Sequence, residues 1–540
     1  VAGLRPLKPF RQIPDAPESR RSFGKGARRM LADVNGESWW ISARPFLGAT
    51  AGNAKFRQRL GAGIAGTALL RRNGAASGSL SVRCRRILVG QEPSEAPTFT
   101  LELRYVDHAK GLAVTRSASE AFLKTLADQT FLKLWTIPNT FYKPGKELAD
   151  IVVPFGDDIV IISDKASHFN VNISIEVAWP RWWRSAVEKS LKQLAGAMRT
   201  VSQQRASIFT DAEASVPTPV LPGPTGSKRL HLVSIARPDQ DPLVVPAQWD
   251  LAYVDRNTSK PFEIGKIEIN GVIVHVFDGP TINLLLETLD TAPDFIAYLT
   301  GREAALRKAG TYEFVERDLL AAALIGWDHD PLGRPSVPPL ETVVPGIWDD
   351  YVSSNHAVRR READRPSRII DEYINQRYEE FSAGRFLYAS PQFEQHEKAM
   401  RLLAAESRFA RRMIAHELYD ILNEEDKTTF WATTVPSPTV PHLRYVWLIY
   451  PKRPTEMSIE QCDKFLMQHL RDHVLVAQAR FKQSLVMGIC LPNRIADDTA
   501  IFTILHEKVV WTEADQQQAL RLGEDGIFAN LEALHRVHLR

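Results

Sequence analysis

The chain has 540 residues, of which 44% are apolar and 24% charged, with a net charge of only +3 and three cysteines. That balance is ordinary for a globular protein and leaves room for about two to four domains with sizeable cores. The cysteines (Cys84, Cys462, Cys490) lie far apart with no CxxC pair, which excludes a disulfide framework and a zinc knuckle.

No apolar run reaches the ~18 residues that span a bilayer, and no continuous hydrophobic segment near the N-terminus marks a secretory signal. The expected location is therefore cytoplasmic, with no membrane partner. Residues 1–95 read as a basic, irregular segment: the first 90 hold 17 Lys or Arg against 4 Asp or Glu, so the remainder of the chain is net acidic. Such an arm can hold phosphate backbone without sequence preference. Its Gly-, Ala- and Arg-rich composition fits an irregular extension at least as well. Within it, Gly61 to Gly66 matches GxGxxG, but no strand precedes it and no βαβ unit surrounds it, so it reads as a chance match.

Residues 96–214 read as one domain. Thr98 to Val106 has strand character, and Ser117 to Leu134 is helical with Phe122, Leu126, Phe131 and Leu134 near one face. Trp135 to Gly145, with Pro138, Asn139 and Pro144, reads as a loop. A hairpin follows from Lys146 to Lys165, then a strand from Val171 to Ala178, then a helix over Trp182 to Val201 with Pro180 near its first turn. Residues 215–227, SVPTPVLPGPTGS, form a linker. Residues 228–330 make an α+β unit with strands RLHLVSIA, WDLAYV, GKIEI and VIVHVF, then helices from Thr281 to Ala309 and from Glu313 to Ile325. A second linker over 328–345 leads to a helical region, 346–427, whose last helix has an apolar stripe and an Arg-rich face. The C-terminal part, 428–540, alternates strand and helix as an α/β domain, with RYVWLIYP, LVMGICLP and AIFTILHE as buried strands around a helix from Ser458 to Gln483.

The hairpin KELADIVVPFGDDIVIISDK carries the chemistry. Isoleucine and valine fill its strands, and Gly156-Asp157-Asp158 supplies the turn. Asp150 sits near the start of the first strand, and Asp164-Lys165 ends the second. An acid on an apolar strand is costly to bury unless paired or metal-bound. Carboxylates facing a lysine are what a metal-dependent phosphodiesterase needs: the acids hold Mg²⁺ and the ammonium offsets charge on the phosphate.

This stretch resembles the PD-(D/E)XK, or restriction-endonuclease-like, nuclease superfamily, whose core runs helix with Glu, strand with Asp, strand ending in (D/E)-x-Lys, second helix. The resemblance covers roughly residues 98–205 and implies Glu120 as the helix acid, Asp150 as the strand Asp, Lys165 as the motif lysine and Gln193 as a secondary positioning residue on the second helix. It implies a fold of class α/β, with a restriction-endonuclease-like core (a mixed sheet flanked by helices) plus additional α/β and helical domains. It also implies Mg²⁺ (or Mn²⁺) held by Asp150, Glu120 and Asp164, a nucleic-acid partner with DNA favoured, and a bacterial role in defence or DNA maintenance. The segment 274–303 is also similar to one found in bacterial proteins that carry such a domain. The second acid departs from the pattern. The position two before the lysine is Ser163, and because strand side chains alternate faces, Asp164 should point away from Lys165. A bulge could bring Asp164 round, Glu147 or Glu120 could replace it, or the site could be inert.

Other signals weigh less. Lys189, Lys192 and Arg199, with Arg181 and Arg184, could face a duplex, and Trp182 and Trp183 could stack on bases, although at least one of the pair should be core. His275 reads as a strand histidine with a hydrogen-bond partner. His469 and His473 have i, i+4 spacing but no further ligands nearby, and His416-Glu417 lacks the second histidine of HExxH. No GxxxxGK[ST] or GxSxG motif is present. The expectation is a Mg²⁺-dependent nuclease, with a catalytically inactive nuclease-like scaffold or a nucleic-acid- or protein-binding protein as the alternative.

Overall fold

A computed structural model describes residues 118–528, apart from 203–206, 219, 221–227, 240–250, 259, 327–329, 331, 385–391, 424–429, 452–456, 494–500 and 508–509, together with three short strands nearer the start of the chain. Those strands are β1 (Ile41–Ser42), β2 (Ser79–Arg85) and β3 (Thr100–Val106). The remainder of the basic arm and the Gly61–Gly66 match lie outside the described residues. One compact unit, Ala49–Phe122, holds β2 and β3 as an antiparallel pair running from Ser79 opposite Val106 to Arg85 opposite Thr100. The other unit takes Val1–Gly48 and Leu123–Arg540. The fold class is mixed α/β, with mixed sheets flanked by helices.

Helix α1 (Ala118–Thr130) enters the larger unit at Leu123, and α2 (Leu132–Trp135) and the first strands of that unit's first sheet follow: β4 (Ile137–Lys143), β5 (Lys146–Phe155) and β6 (Asp158–Ser167). The expected single helix breaks at Phe131, and the expected loop over Trp135 to Gly145 contains β4. That strand lies at the sheet's edge, where Pro138 removes no ladder donor that a neighbour needs. Gly156, at a φ of 59°, and Asp157 make the turn between β5 and β6. Glycine adopts that backbone without steric cost. Asp158 is the first residue of β6 and pairs with Phe155, so it is strand rather than turn.

The expected strand from Val171 to Ala178 is absent, and helix α3 (Ile175–Trp183) begins within it. Burial of Ala178, Trp179 and Trp182 on one face decides the helix over the β-branched sequence. Pro180 sits inside α3 rather than at its start, and a five-residue π-helical turn, Arg184–Glu188, joins α3 to α4 (Lys189–Ser202). The chain then passes the Pro/Gly-rich stretch and re-enters the same sheet as β7 (Arg229–Pro238). Residues 228–330 therefore complete this sheet. Strands β8 (Ala252–Val254) and β9 (Glu263–Ile264) go to a small sheet with β12 (Glu313–Val315). β10 (Glu268–Ile269) and β11 (Val272–Phe277) return to the large one. Its order is β10-β11-β7-β6-β5-β4, with β6, β7 and β11 parallel and β5 antiparallel to its neighbours.

Helices α5 (Gly279–Thr288) and α6 (Ala292–Lys308) replace the one expected over Thr281 to Ala309. Asp278 caps α5, and Thr291, followed by Pro293, caps α6 and forces the break. After α7 (Glu316–Ile325), the helical region holds α8 (Ile347–Ser353), α9 (Asn355–Asp364), α10 (Arg368–Ser382), α11 (Phe393–Ala404) and α12 (Arg408–Asn423). The C-terminal sheet orders as β1-β16-β15-β14-β13, from β13 (Trp431–Pro436), β14 (Leu443–Tyr450), β15 (Leu485–Pro492) and β16 (Phe502–Glu507). Helix α13 (Ile459–Phe481), opened by a Ser458/Gln461 capping box, crosses between the parallel β14 and β15, and α14 (Glu513–Glu524) follows β16. Among the described residues, no helix is long and apolar enough to cross a membrane.

The Arg-rich face expected on the last helix of the helical region is not turned wholly to solvent. Arg408 and Arg411 are buried, and Arg408 donates to Asp290 at 2.8 Å, to Asp371 at 2.7 Å and to Ser367 at 3.0 Å. This guanidinium ties α12 to α10 and to the α5–α6 corner. Deleting one partner strands the others in a dry site, which costs about 3–5 kcal/mol. Arg408→Ala is expected to lower stability by that amount in urea unfolding. Gly523→Ala, whose added methyl meets no heavy atom within 4 Å, should stay within about 1 kcal/mol of the parent.

Candidate functional site

The site follows from register. β5 and β6 pair without a shift from Phe155 opposite Asp158 to Ile151 opposite Ile162, and one step further sets Asp150 beside Ser163. Alternation then puts Asp150, Ser163 and Lys165 on one face of the sheet and Asp164 on the other. Atomic contacts agree. Lys165 Nζ lies 3.4 Å from Asp150 Oδ2, with both side chains part-buried. The same oxygen accepts the backbone N–H of Asp164 at 2.8 Å. Ser163 Oγ donates to Gln193 Oε1 at 2.9 Å, which identifies this as the face that α4 covers.

Asp164 does not join them. Its carboxylate takes the guanidinium of Arg237 on β7, with Arg237 Nε 2.8 Å from Oδ1 and an Arg237 NH2 contact to Oδ2. No bulge swings it toward Lys165, because β6 pairs with β7 without a shift through Asp164 and Lys165. Its side chain is only 3% exposed, so the charge is matched by Arg237 rather than by solvent. Glu120 falls in α1, but its side chain lies outside the described residues. Glu147, the other replacement considered, is exposed on β5. Of the expected site residues, the structure thus brings together Asp150, Lys165 and Gln193, with Ser163 where the second acid was sought.

The basic residues of the second helix are outward: Arg181, Arg184, Lys189, Lys192 and Arg199 are all exposed. Trp182 is core at 1% exposure, whereas Trp183 is half-buried. Trp179, Pro180, Trp183 and Arg184 line a cavity of about 370 Å³ together with Asn257 and Glu263. His473 is buried and bonded through Nδ1 to the carbonyl of His469 at 2.7 Å, as helix packing rather than a metal pair requires.

The opposite face of the sheet holds a polar cluster that sequence reading missed in part. His231 on β7 has Nε2 2.9 Å from Asp158 Oδ1 and Nδ1 3.2 Å from Glu303 Oε1 on α6. His275, which does have hydrogen-bond partners as expected, reaches the same Glu303 oxygen at 3.1 Å and Arg302 at 3.3 Å. The signal was present: histidines interrupt two apolar strands, RLHLVSIA and VIVHVF, whose register makes them near neighbours. Burial pulls the His231 pKa down, but its bonds to Asp158 and Glu303 outweigh that and raise it. Burial pushes Glu303 up, yet the two histidines hold it down at about 2. Among the described residues, His231, His275 and Glu303 are the one group whose spacing could accept a metal ion.

Comparison of the chain with protein-family models, with curated proteins and with solved structures returned no match. If Asp164 and Arg237 form a closed pair, their effects must couple. Asp164→Asn and Arg237→Ala should each lower stability, and the double variant should lose less than the sum, with a coupling of about 0.5–3 kcal/mol in a double-mutant cycle of urea unfolding.

Proposed function

We propose that this protein acts on the phosphodiester backbone of nucleic acid, DNA in the first instance, as a nuclease-like enzyme with Asp150 and Lys165 at its working site. The observation that carries this reading is the convergence of Asp150, midway along β5, and Lys165, near the end of the adjacent β6, on one face of the sheet. Helix α1, the β5–β6 hairpin and helix α4 follow one another in the order of the core that the PD-(D/E)XK resemblance implies, with α2 and β4 before the hairpin and α3 after it, which supports this reading. The exposed cations of α3 and α4 would meet phosphate oxygens through charge-assisted bonds that carry no sequence information.

The chain's own residues divide the work. Lys165 would set an ammonium against a phosphate oxygen and offset the charge that grows there in the transition state. Gln193 is held by Ser163 and would orient its amide toward the substrate or a water. Asp150 is the strand carboxylate available to Mg²⁺ or Mn²⁺. The donor set fits such an ion only in part, because Asp164 is occupied by Arg237. When bound, the ion would polarise the phosphate and activate water. A second reading, a scaffold that binds nucleic acid without cutting it, is favoured by Ser163 in place of the acid and by the Asp164–Arg237 pair.

Plasmid and single-stranded DNA incubated with the protein should be cut in Mg²⁺ and left whole in EDTA. Asp150→Ala with Lys165→Ala should reduce cutting by at least ~10²-fold, while Asp164→Asn should cut like the parent. Cutting by the double variant at the parent's rate would remove Asp150 and Lys165 from the chemistry. DNA binding that weakens with salt, without any cutting, would leave the scaffold reading in its place.

A further inference from the structure

The cluster of His231, Glu303 and His275 invites a metal, and the ligand atoms lie within 4.8 Å of one another. Two imidazoles and a carboxylate suit zinc. The second contact of each histidine decides otherwise. Arg302 can only donate, and its guanidinium is fixed by Glu316 through Nε at 2.9 Å and NH2 at 2.9 Å. Its NH1 meets Nδ1 of His275 at 3.3 Å, so that nitrogen must be bare and the proton of a neutral ring must sit on Nε2, facing Glu303. A metal on Nε2 would drive the proton to Nδ1, against the N–H of Arg302. His231 has the opposite problem: both of its nitrogens face carboxylates, which accept only, so both must carry protons.

We propose that His231 is a resident imidazolium, held at neutral pH between Asp158 and Glu303, and that it is a proton-operated clamp joining strands β6 and β7 to helix α6. Every group facing it fits an alternating ladder. Arg229 on β7 pairs with Asp158 at 2.9 Å. Asp158 and Glu303 flank His231, neutral His275 on β11 bridges Glu303 to Arg302, and Glu316 on α7 closes the chain with Tyr298 donating to it at 2.6 Å. Tyr253 on β8 lies under the Arg302 guanidinium, 4.6 Å from ring centroid to carbon. Burial holds His275 down at about 4, in agreement with its neutral state.

The sign follows from linkage. A histidine whose folded pKa lies above its unfolded value of ~6.5 contributes its full stabilisation below that pH and loses it as pH rises through the folded pKa. Loss of the proton leaves a single ring N–H between Asp158 and the half-buried Glu303, beside their bonds to Arg229 and His275, so one side of the clamp opens and α6 loosens from the sheet on the alkaline side.

The test uses the full chain with ¹⁵N-labelled histidine, comparing parent and His231→Gln to assign the signal among the 14 histidines. At pH 7.5 the His231 nitrogens should both give protonated shifts and titrate with a midpoint above that of an exposed histidine. Melting temperature of the parent should fall by about 2–4 °C from pH 7 to 9.5 relative to His231→Gln, which lacks the titrating group. A singly protonated His231 at pH 7.5 would overturn the proposal. So would one equivalent of Zn²⁺ that stays bound through gel filtration, shifts the His231 nitrogens and is lost in Glu303→Gln. Should His231→Gln fail to fold, the same titration in Asp158→Asn decides: the His231 midpoint must drop.

Discussion

The parallel pairing of β6 with β7 is the constraint on which the rest depends. Ten residues run in register, from Asp158 beside Arg229 to Ser167 beside Pro238. Because parallel neighbours share a face, this one ladder sends Ser163 and Lys165 to the α4 side and Asp158, Asp164, His231 and Arg237 to the other. Both polar centres are products of the same alternation. A one-residue slip would exchange them and bury Lys165 among α5 and α6.

The ladder also joins segments that the composition separates. A stretch rich in proline and glycine between α4 and β7 looks like a boundary, yet the strand after it is an interior member of the sheet. A parallel partner needs a crossover of a dozen or more residues, and the helical passage through α3 and α4 supplies it.

Much of this was legible because the signals were local. The β5–β6 hairpin, the strands of 229–238 and 272–277, the α4 helix and the β14–α13–β15 unit follow from apolar period and turn residues. The site's departure was legible too: Ser163 shares a face with Lys165 and Asp164 does not, as alternation alone requires. What could not be read were outcomes set by partners distant in sequence. Pro138 and Asn139 look like loop residues until the strand is known to be an edge. Val171 to Ala178 looks extended until Trp179 and Trp182 are seen to need a shared buried face. Asp164 looks like a metal ligand until Arg237, some seventy positions on, arrives beside it. Arg408 looks like a surface cation until Asp290 and Asp371 enclose it.

The π-helical turn at Arg184–Glu188 has a consequence for how the site is aimed. An α-helix advances about 100° per residue, and a π turn holds one residue more than the regular spiral would place there. Everything after Glu188 is therefore rotated with respect to α3 by that single extra step. Gln193 meets Ser163 because of this offset. A chain lacking one residue of the turn would keep two sound helices and an unbroken apolar seam over the first, while the amide at Gln193 would sweep round to an adjacent quadrant. The aim of the second helix is thus set by a count of residues, independent of how well either helix packs.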